Sequence, residues 1–143
     1  MDYKKLTAPC GRDCFNCFFY TASNNAEFKT QLANKLNLPE SEVSCKGCRT
    51  IKGNCKVLKN YGYNQHCKIY QCVQSNNVEF CNQCTNFPCN LLHPLADKAD
   101  KFPHNLKVYN LCMIQKMGLE NWAKNQSKKS WDRYYNDTLN SCF

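Results

Sequence analysis

The chain has 143 residues, 19 basic against 11 acidic side chains for a formal charge of +8, and 13 cysteines, a thiol content several times that of an ordinary soluble domain. This length holds a single core, which excludes a large barrel enzyme, and no run near 18 apolar residues exists to cross a membrane as a helix. Leu, Ile, Val and Phe together number 28, close to the one-fifth share below which chains stay disordered, so something besides apolar burial must hold the fold.

The opening MDYKKLTAPCGRDCF has lysines but no apolar run after them of the length a secretory signal needs, which predicts a cytoplasmic chain. Residues 24–37 carry Phe28, Leu32 and Leu36 at intervals of four with Ala33 beside them, the stripe of an amphipathic helix. Asn24 and Glu27 read as its capping pair, and Asn37 with Pro39 closes it. A short helical turn is expected at 39–43. Residues 46–80 show no sustained period, with a brief strand or helical turn expected at 69–73. A helix over 90–101, interrupted near Pro94 and ended by Phe102 and Pro103, comes next. Residues 105–117 form the best candidate for a central helix, with Leu106, Tyr109, Met113 and Met117 on one face and Val108, Leu111, Cys112 and Ile114 widening the apolar arc. Gly118 sits where a left-handed cap belongs, and 119–126 predicts another helix with Leu119, Trp122 and Ala123 inward. In the tail, Trp131 and Tyr134 are the packing candidates. The expected architecture is mainly α with irregular metal-stapled loops and little or no β. It is a single cysteine-rich domain over 1–143, with a metal-binding part at 10–89, a helical part at 90–131 and a tail at 132–143.

The thiols are clustered. Cys10, Cys14 and Cys17 form C-x3-C-x2-C; Cys45 and Cys48 form C-K-G-C with Cys55 following; Cys67 and Cys72 are spaced C-x4-C; Cys81, Cys84 and Cys89 form C-N-Q-C-T-N-F-P-C. A two-residue gap lets a tight turn aim both sulfurs at one ion, and Gly47 is free to take the positive φ such turns often require. In a reducing compartment these spacings mark metal ligands or catalytic groups more often than disulfides. Zinc, which takes four thiolates tetrahedrally, is the expected metal, at about two ions per chain. The expected ligands are Cys10, Cys14, Cys17, Cys45, Cys48, Cys67, Cys72, Cys81, Cys84 and Cys89, with Cys55 next. Ten thiols exceed the eight places of two sites, so either some are unliganded or a third ion is present, and a third site calls on His66 or His93. Cys112 falls on an apolar arc and is expected in the core; Cys142 is a tail residue. Lys46, Arg49, Lys52, Lys56, Lys59 and Lys68 lie among the ligands, placed to offset the negative charge of zinc thiolates.

The blocks APCGRDCFNC, CKGC, CKIYQC, CNQCTNFPC and NLCMIQKMGLENWAKNQ together resemble a prokaryotic family catalogued only as a domain of unknown function, number three-seven-nine-five. The resemblance runs over about residues 8–131. It implies zinc binding and assigns no activity. Some relatives have a cysteine near the position of Asn64 and a further pair after the final tryptophan; this chain has Cys55 and Cys142 instead.

Two other readings stand beside structural zinc with a binding or scaffolding role. C-x3-C-x2-C is the spacing by which radical enzymes using S-adenosylmethionine hold an iron–sulfur cluster, but those enzymes usually place an aromatic where Asn16 stands. The ferredoxin run also differs, because Pro88 precedes Cys89 rather than following it. A nucleic-acid-binding zinc module would use Tyr61 and Tyr63 among the lysines. It is not favoured, since thiolate-bound metal would cancel most of the +4 carried by 41–89. A protein partner is the remaining kind. No nucleophile elbow or phosphate-cradling glycine loop is present, and Asp13 and Glu79 are the carboxylates nearest the clusters, so enzyme status stays open.

Overall fold

The computed structural model describes residues 1–56, 59, 66–92 and 106–133. Among them the protein is mainly helical, and its only β pairing is an isolated antiparallel bridge between Thr7 and Asp13. No helix among the described residues is long and apolar enough to cross a membrane.

The chain starts with α1 (Tyr3–Leu6), capped by Asp2, whose side chain accepts the Lys5 N–H at 3.0 Å. A tight loop follows, closed by Ala8 N–H to Arg12 O at 2.8 Å. A 3₁₀ turn (Cys14–Asn16) leads into α2 (Phe18–Asn24) and then α3 (Ala26–Leu36). The stripe expected over 24–37 is therefore real, but its helix starts later. Asn25 rather than Asn24 is the cap, its side chain accepting the Phe28 N–H at 2.9 Å. Asn37 ends the helix in the left-handed conformation at φ 52°, one of the few residues besides glycine that adopts it readily. Ala22, Leu32, Ala33 and Val43 are buried between α2, α3 and the turn that follows.

Helix α4 (Lys68–Ser75) occupies the segment without sustained period. It buries Ile69 and Val73 one turn apart, which resolves the choice between strand and helical turn in favour of helix. The 3₁₀ turns Cys81–Gln83 and Asn90–Leu92 follow. Of the helix expected over 90–101, residues 93–101 lie outside the described residues, as do Tyr134 and Cys142.

Helix α5 (Leu106–Met117) forms as expected, but rolled about its axis. Leu106, Asn110, Leu111 and Ile114 are buried, whereas Tyr109 is 39 % exposed and its hydroxyl accepts from Gln126 at 2.9 Å. The cause is Asn110, which donates to the Gly11 carbonyl at 2.8 Å and so ties the first cysteine loop to α5; a buried amide needs such a partner. Cys112, expected in the core, is exposed as a consequence of that roll. Gly118 is not the left-handed cap expected: at φ 80° and ψ 155° it is an extended break between α5 and α6 (Leu119–Asn125) that only glycine takes freely, and residues 127–133 are again helical. Trp122 is fully buried with Ala123 and Ile114. Edge-to-face contacts run from Tyr3 to Phe15 at 5.2 Å and from Phe15 to Trp122 at 6.1 Å, within the range where aromatic pairs attract. Trp131, expected to pack, is buried against Phe18.

Candidate metal centre

The largest core cluster mixes carbon and sulfur: Ala8, Ile69, Val73, Phe80, Leu92 and Leu111 with the buried Cys10 and Cys81, and Val78, Phe87, Val108 and Leu119 together with Cys14, Cys48, Cys67 and Cys89 packed against it. Backbone hydrogen bonds assemble these thiols from distant points of the chain. In the first cluster, the turn closes by Cys17 N–H to Cys14 O at 3.0 Å, and Cys17 becomes the cap of α2. In C-K-G-C, Gly47 takes φ 90° as expected, and an added Cβ there would meet Leu6 at 3.5 Å and Cys14 at 3.8 Å. The next N–H, that of Cys48, donates to the Cys14 sulfur at 3.4 Å. Cys45 is fixed to α2 by its N–H, which reaches the Phe19 carbonyl at 2.9 Å and the Ser23 hydroxyl at 2.7 Å. Gly53 then links two thiols, its N–H donating to Cys48 O at 3.0 Å and its carbonyl accepting from Cys67 N–H at 3.2 Å.

The last cluster is bound to the first by Cys81 N–H to Pro9 O at 3.0 Å. Its turns close by Cys84 N–H to Cys81 O and Phe87 N–H to Cys84 O, both at 3.1 Å, before a cis Phe87–Pro88 peptide. Cys81, Cys84 and Cys89 line a cavity of about 30 Å³. Its opposite wall is one face of α4, where Ile69, Cys72, Val73 and Asn76 stand at the helical intervals of three and four. The Asn76 amide donates to the Cys72 sulfur at 3.5 Å.

Electrostatics links the thiols into one connected network through Cys10. Burial pushes Cys81 up to about 12, with repulsion from Cys10, Cys89, Cys72 and Cys84 adding to it. Burial likewise raises Cys48, with Cys10, Cys14, Cys67 and Cys55 adding, and pushes Cys14 up to about 11 with help from Cys17 and Cys10. Cys45 is raised first by its side-chain hydrogen bond with Cys55 and then by burial; Cys17 is raised by burial, with Cys55 contributing. Cys72, Cys81, Cys84 and Cys89 line the cavity, and Cys10 acts on Cys81 there as well as on Cys14 and Cys48. Cys67 joins at Cys48, and Cys17, Cys45 and Cys55 lie together at the far end. All ten expected ligands thus belong to one run of neighbouring thiols, and Cys55, ranked behind them from sequence, sits against Cys45. Its signal was its place seven residues after Cys48 on the same short loop. No disulfide is present among the described residues. Among them, too, no three Cys, His, Asp or Glu side chains stand close enough to hold a metal ion as they are oriented. The sulfurs are gathered but not drawn in to coordination distance.

His66 is exposed beside Cys67, and His93 lies outside the described residues. Asp13 is buried, and burial pushes its carboxyl up to about 6 against the hydrogen bond from Asn16 at 2.7 Å. Asn16 also donates to Ser127 at 3.1 Å, tying this turn to the last described helical residues. Glu79 pairs with Lys4 at 3.0 Å on the surface. Sequence reading missed the role of Arg49. Its guanidinium donates to the Thr7 carbonyl at 2.8 Å and the Glu79 carbonyl at 2.9 Å and lies 4.7 Å over the Phe80 ring, joining the first and last thiol clusters by bidentate and cation–π contacts.

No curated protein and no solved structure matches this chain. A family described as a protein of unknown function (DUF3795) matches residues 6–94, which takes in every clustered thiol and ends before α5. The chain belongs to that family.

Proposed function

We propose that this is a zinc-binding protein in which the metal is mainly structural and the folded surface serves a binding or scaffolding role. The observation that carries the reading is the cavity of about 30 Å³ to which Cys72, Cys81, Cys84 and Cys89 all contribute, beside Ile69, Val73, Val78, Phe87 and Leu91. Four thiols on one cavity are the donor number that a closed tetrahedral zinc site uses. The mutual repulsion that raises Cys81 is what a divalent cation relieves, because it stabilises the thiolate and releases the proton. Zinc–sulfur bonds of about 2.3 Å require the side chains to turn further inward than they now stand. The donors to sulfur, Asn76 on Cys72 and the Cys48 N–H on Cys14, are the outer contacts that orient metal-bound thiolates. Bound zinc supplies cross-links between turns that have little carbon to bury. A reducing cytoplasm is the compartment that keeps such thiols available.

The test is elemental analysis of untagged protein purified without added metal. Zinc in stoichiometric amount, with a colourless solution, supports the reading. Iron with visible absorption replaces it by the iron–sulfur alternative, and a folded, metal-free chain that resists chelator under reductant overturns it.

A further inference from the structure

A separate cavity of about 400 Å³ is walled, among the described residues, by aromatic side chains rather than thiols. Four stretches build it. The 3₁₀ turn Cys14–Asn16 supplies Phe15 and Asn16, α2 supplies Phe18 and Thr21 one turn apart, and α3 supplies Phe28. Lys128, Trp131 and Asp132, at the helical intervals of three and four, close the other side.

The walls are set by contacts that need no occupant. Asn16 donates to Asp13 at 2.7 Å and to Ser127 at 3.1 Å, which ties the turn to the helical residues 127–133. Trp131 is buried and meets Phe18 edge to face at 5.8 Å, and α2 and α3 hold Phe18 and Phe28 on the cluster of Ala22, Leu32 and Ala33. Phe15, Phe18 and Phe28 each pack partly on a carbon cluster and stay only half-buried, with the rest of each ring lining the cavity. Preformed concave sites of roughly 300–1,000 Å³, apolar inside with a few polar groups at the edge, are what small molecules occupy.

Charge at the rim selects the ligand. Lys128 pairs with Asp132 there, but an ammonium has three donors and keeps others for an incoming acid. Arg12 lies 6.0 Å over the Trp131 ring, so an organic cation would meet an indole already faced by a guanidinium and a second positive charge at Lys128. The other carboxyl group of this corner, Asp13, is buried and bonded to Asn16. We propose that this cavity binds a small aromatic carboxylate, with its ring among Phe15, Phe18, Phe28 and Trp131 and its acid group at Lys128. No thiol takes part, so the site stands or falls apart from the zinc reading.

The experiment is titration of the full chain with cinnamate, read at the Trp131 indole resonance by NMR, with cinnamamide as the neutral counterpart and benzyltrimethylammonium as the cationic one. Saturable shifts are expected with cinnamate, weaker binding with cinnamamide, and none with the ammonium at the same concentration. Phe28→Ala should abolish binding. Lys128→Gln should weaken cinnamate about threefold, the scale of an exposed ion pair, and leave cinnamamide unchanged. Lys128 is exposed, so this variant keeps the test readable if Phe28→Ala does not fold. No saturable shift with cinnamate, tighter binding of the ammonium, or equal loss of cinnamate and cinnamamide in Lys128→Gln would overturn the proposal. Nuclear Overhauser contacts from Trp131 to residues 134–143 that cinnamate does not displace would give the cavity to the chain's own terminus and overturn it as well.

Discussion

The thiol-bearing turns at 10–17, 45–55 and 67–89 and the helical segment 106–133 are built of different matter. In the first, turns at Cys14, Cys48, Cys81 and Cys84 bring sulfur together against Ala8, Ile69, Val73, Phe80, Leu92 and Leu111, while α2 and α3 between them pack a carbon cluster of their own through Ala22, Leu32, Ala33 and Val43. In the second, a conventional interior forms where Trp122, Ala123 and Ile114 pack with Tyr3 and Phe15. Burial of apolar surface is worth about 25 cal/mol per Å², and the half-buried thiols of the turns supply less of it per residue than Trp122 does, so cross-links of the kind small domains use would add most at those turns. The contrast shows that helical periodicity and thiol spacing are two separate ways for a sequence to specify shape, and this chain uses each where the other is weak.

If the chain holds zinc as proposed, stripping it breaks the comparison hardest. Chelator under reducing conditions should abolish amide-exchange protection across 45–55 and 81–89, where the backbone bonds close turns around thiols. The α5 and α6 amides should lose less, because Trp122 needs no ion to stay buried. Hydrogen exchange read by mass spectrometry checks this, and equal loss in both regions would show that the two share one cooperative unit.

Trp122→Ala probes the other side. The ring is fully buried, and truncating such a residue costs about 3–5 kcal/mol. Denaturant unfolding should show that loss while zinc content per folded chain stays constant. A fall in metal content would tie the two regions together.

Much of this contrast is legible in residue spacing alone, and the gaps have physical causes. The α3 stripe, the helices around Gly118 and every clustered thiol follow from their intervals. Helix α2 does not, since FFYTASN has no apolar period and its helicity is fixed by docking on α3. Helix α4 is hidden because its inward face alternates carbon with sulfur and amide, at Ile69, Cys72, Val73 and Asn76. The roll of α5 escapes the apolar pattern because a polar residue, Asn110, occupies the buried face on account of the Gly11 carbonyl, a contact 99 residues away in sequence. Of the candidate metal centre, the clustering of thiols along the chain is legible but their neighbours in space are not: C-x3-C-x2-C reads as one unit, whereas Cys17 lies with Cys45 and Cys55 and Cys10 lies toward Cys48 and Cys81.

A smaller effect tests whether a loop held by sulfur also needs exact backbone fit. At Gly53, φ is 75° and an added Cβ would lie 2.7 Å from the Tyr70 Cβ. Gly118 has a similar φ of 80° with nothing within 4 Å. Alanine at either site is strained by the positive φ that glycine alone takes freely, but at Gly53 the clash adds to it and pushes apart the bonds to Cys48 and Cys67. Gly53→Ala should therefore lower both thermal stability and zinc retention, and Gly118→Ala stability alone. Equal zinc retention in the two variants would show that the thiol loop yields without losing its ions.

The mildest prediction concerns α3, the helix most nearly independent of sulfur. Its first turn leaves backbone N–H groups without helical partners, and Asn25 satisfies one of them by accepting from Phe28 at 2.9 Å. Asn25→Ala removes that acceptor and should cost about 1 kcal/mol, seen as a small drop in melting temperature with metal content unchanged. Asn25→Asp should restore most of it, because a carboxylate caps equally well and its charge favours the helix N-terminus. If Asn25→Ala instead released zinc, α3 would be coupled to Cys45 through α2, and the division between carbon-held and sulfur-held parts would have to be drawn beyond residue 37.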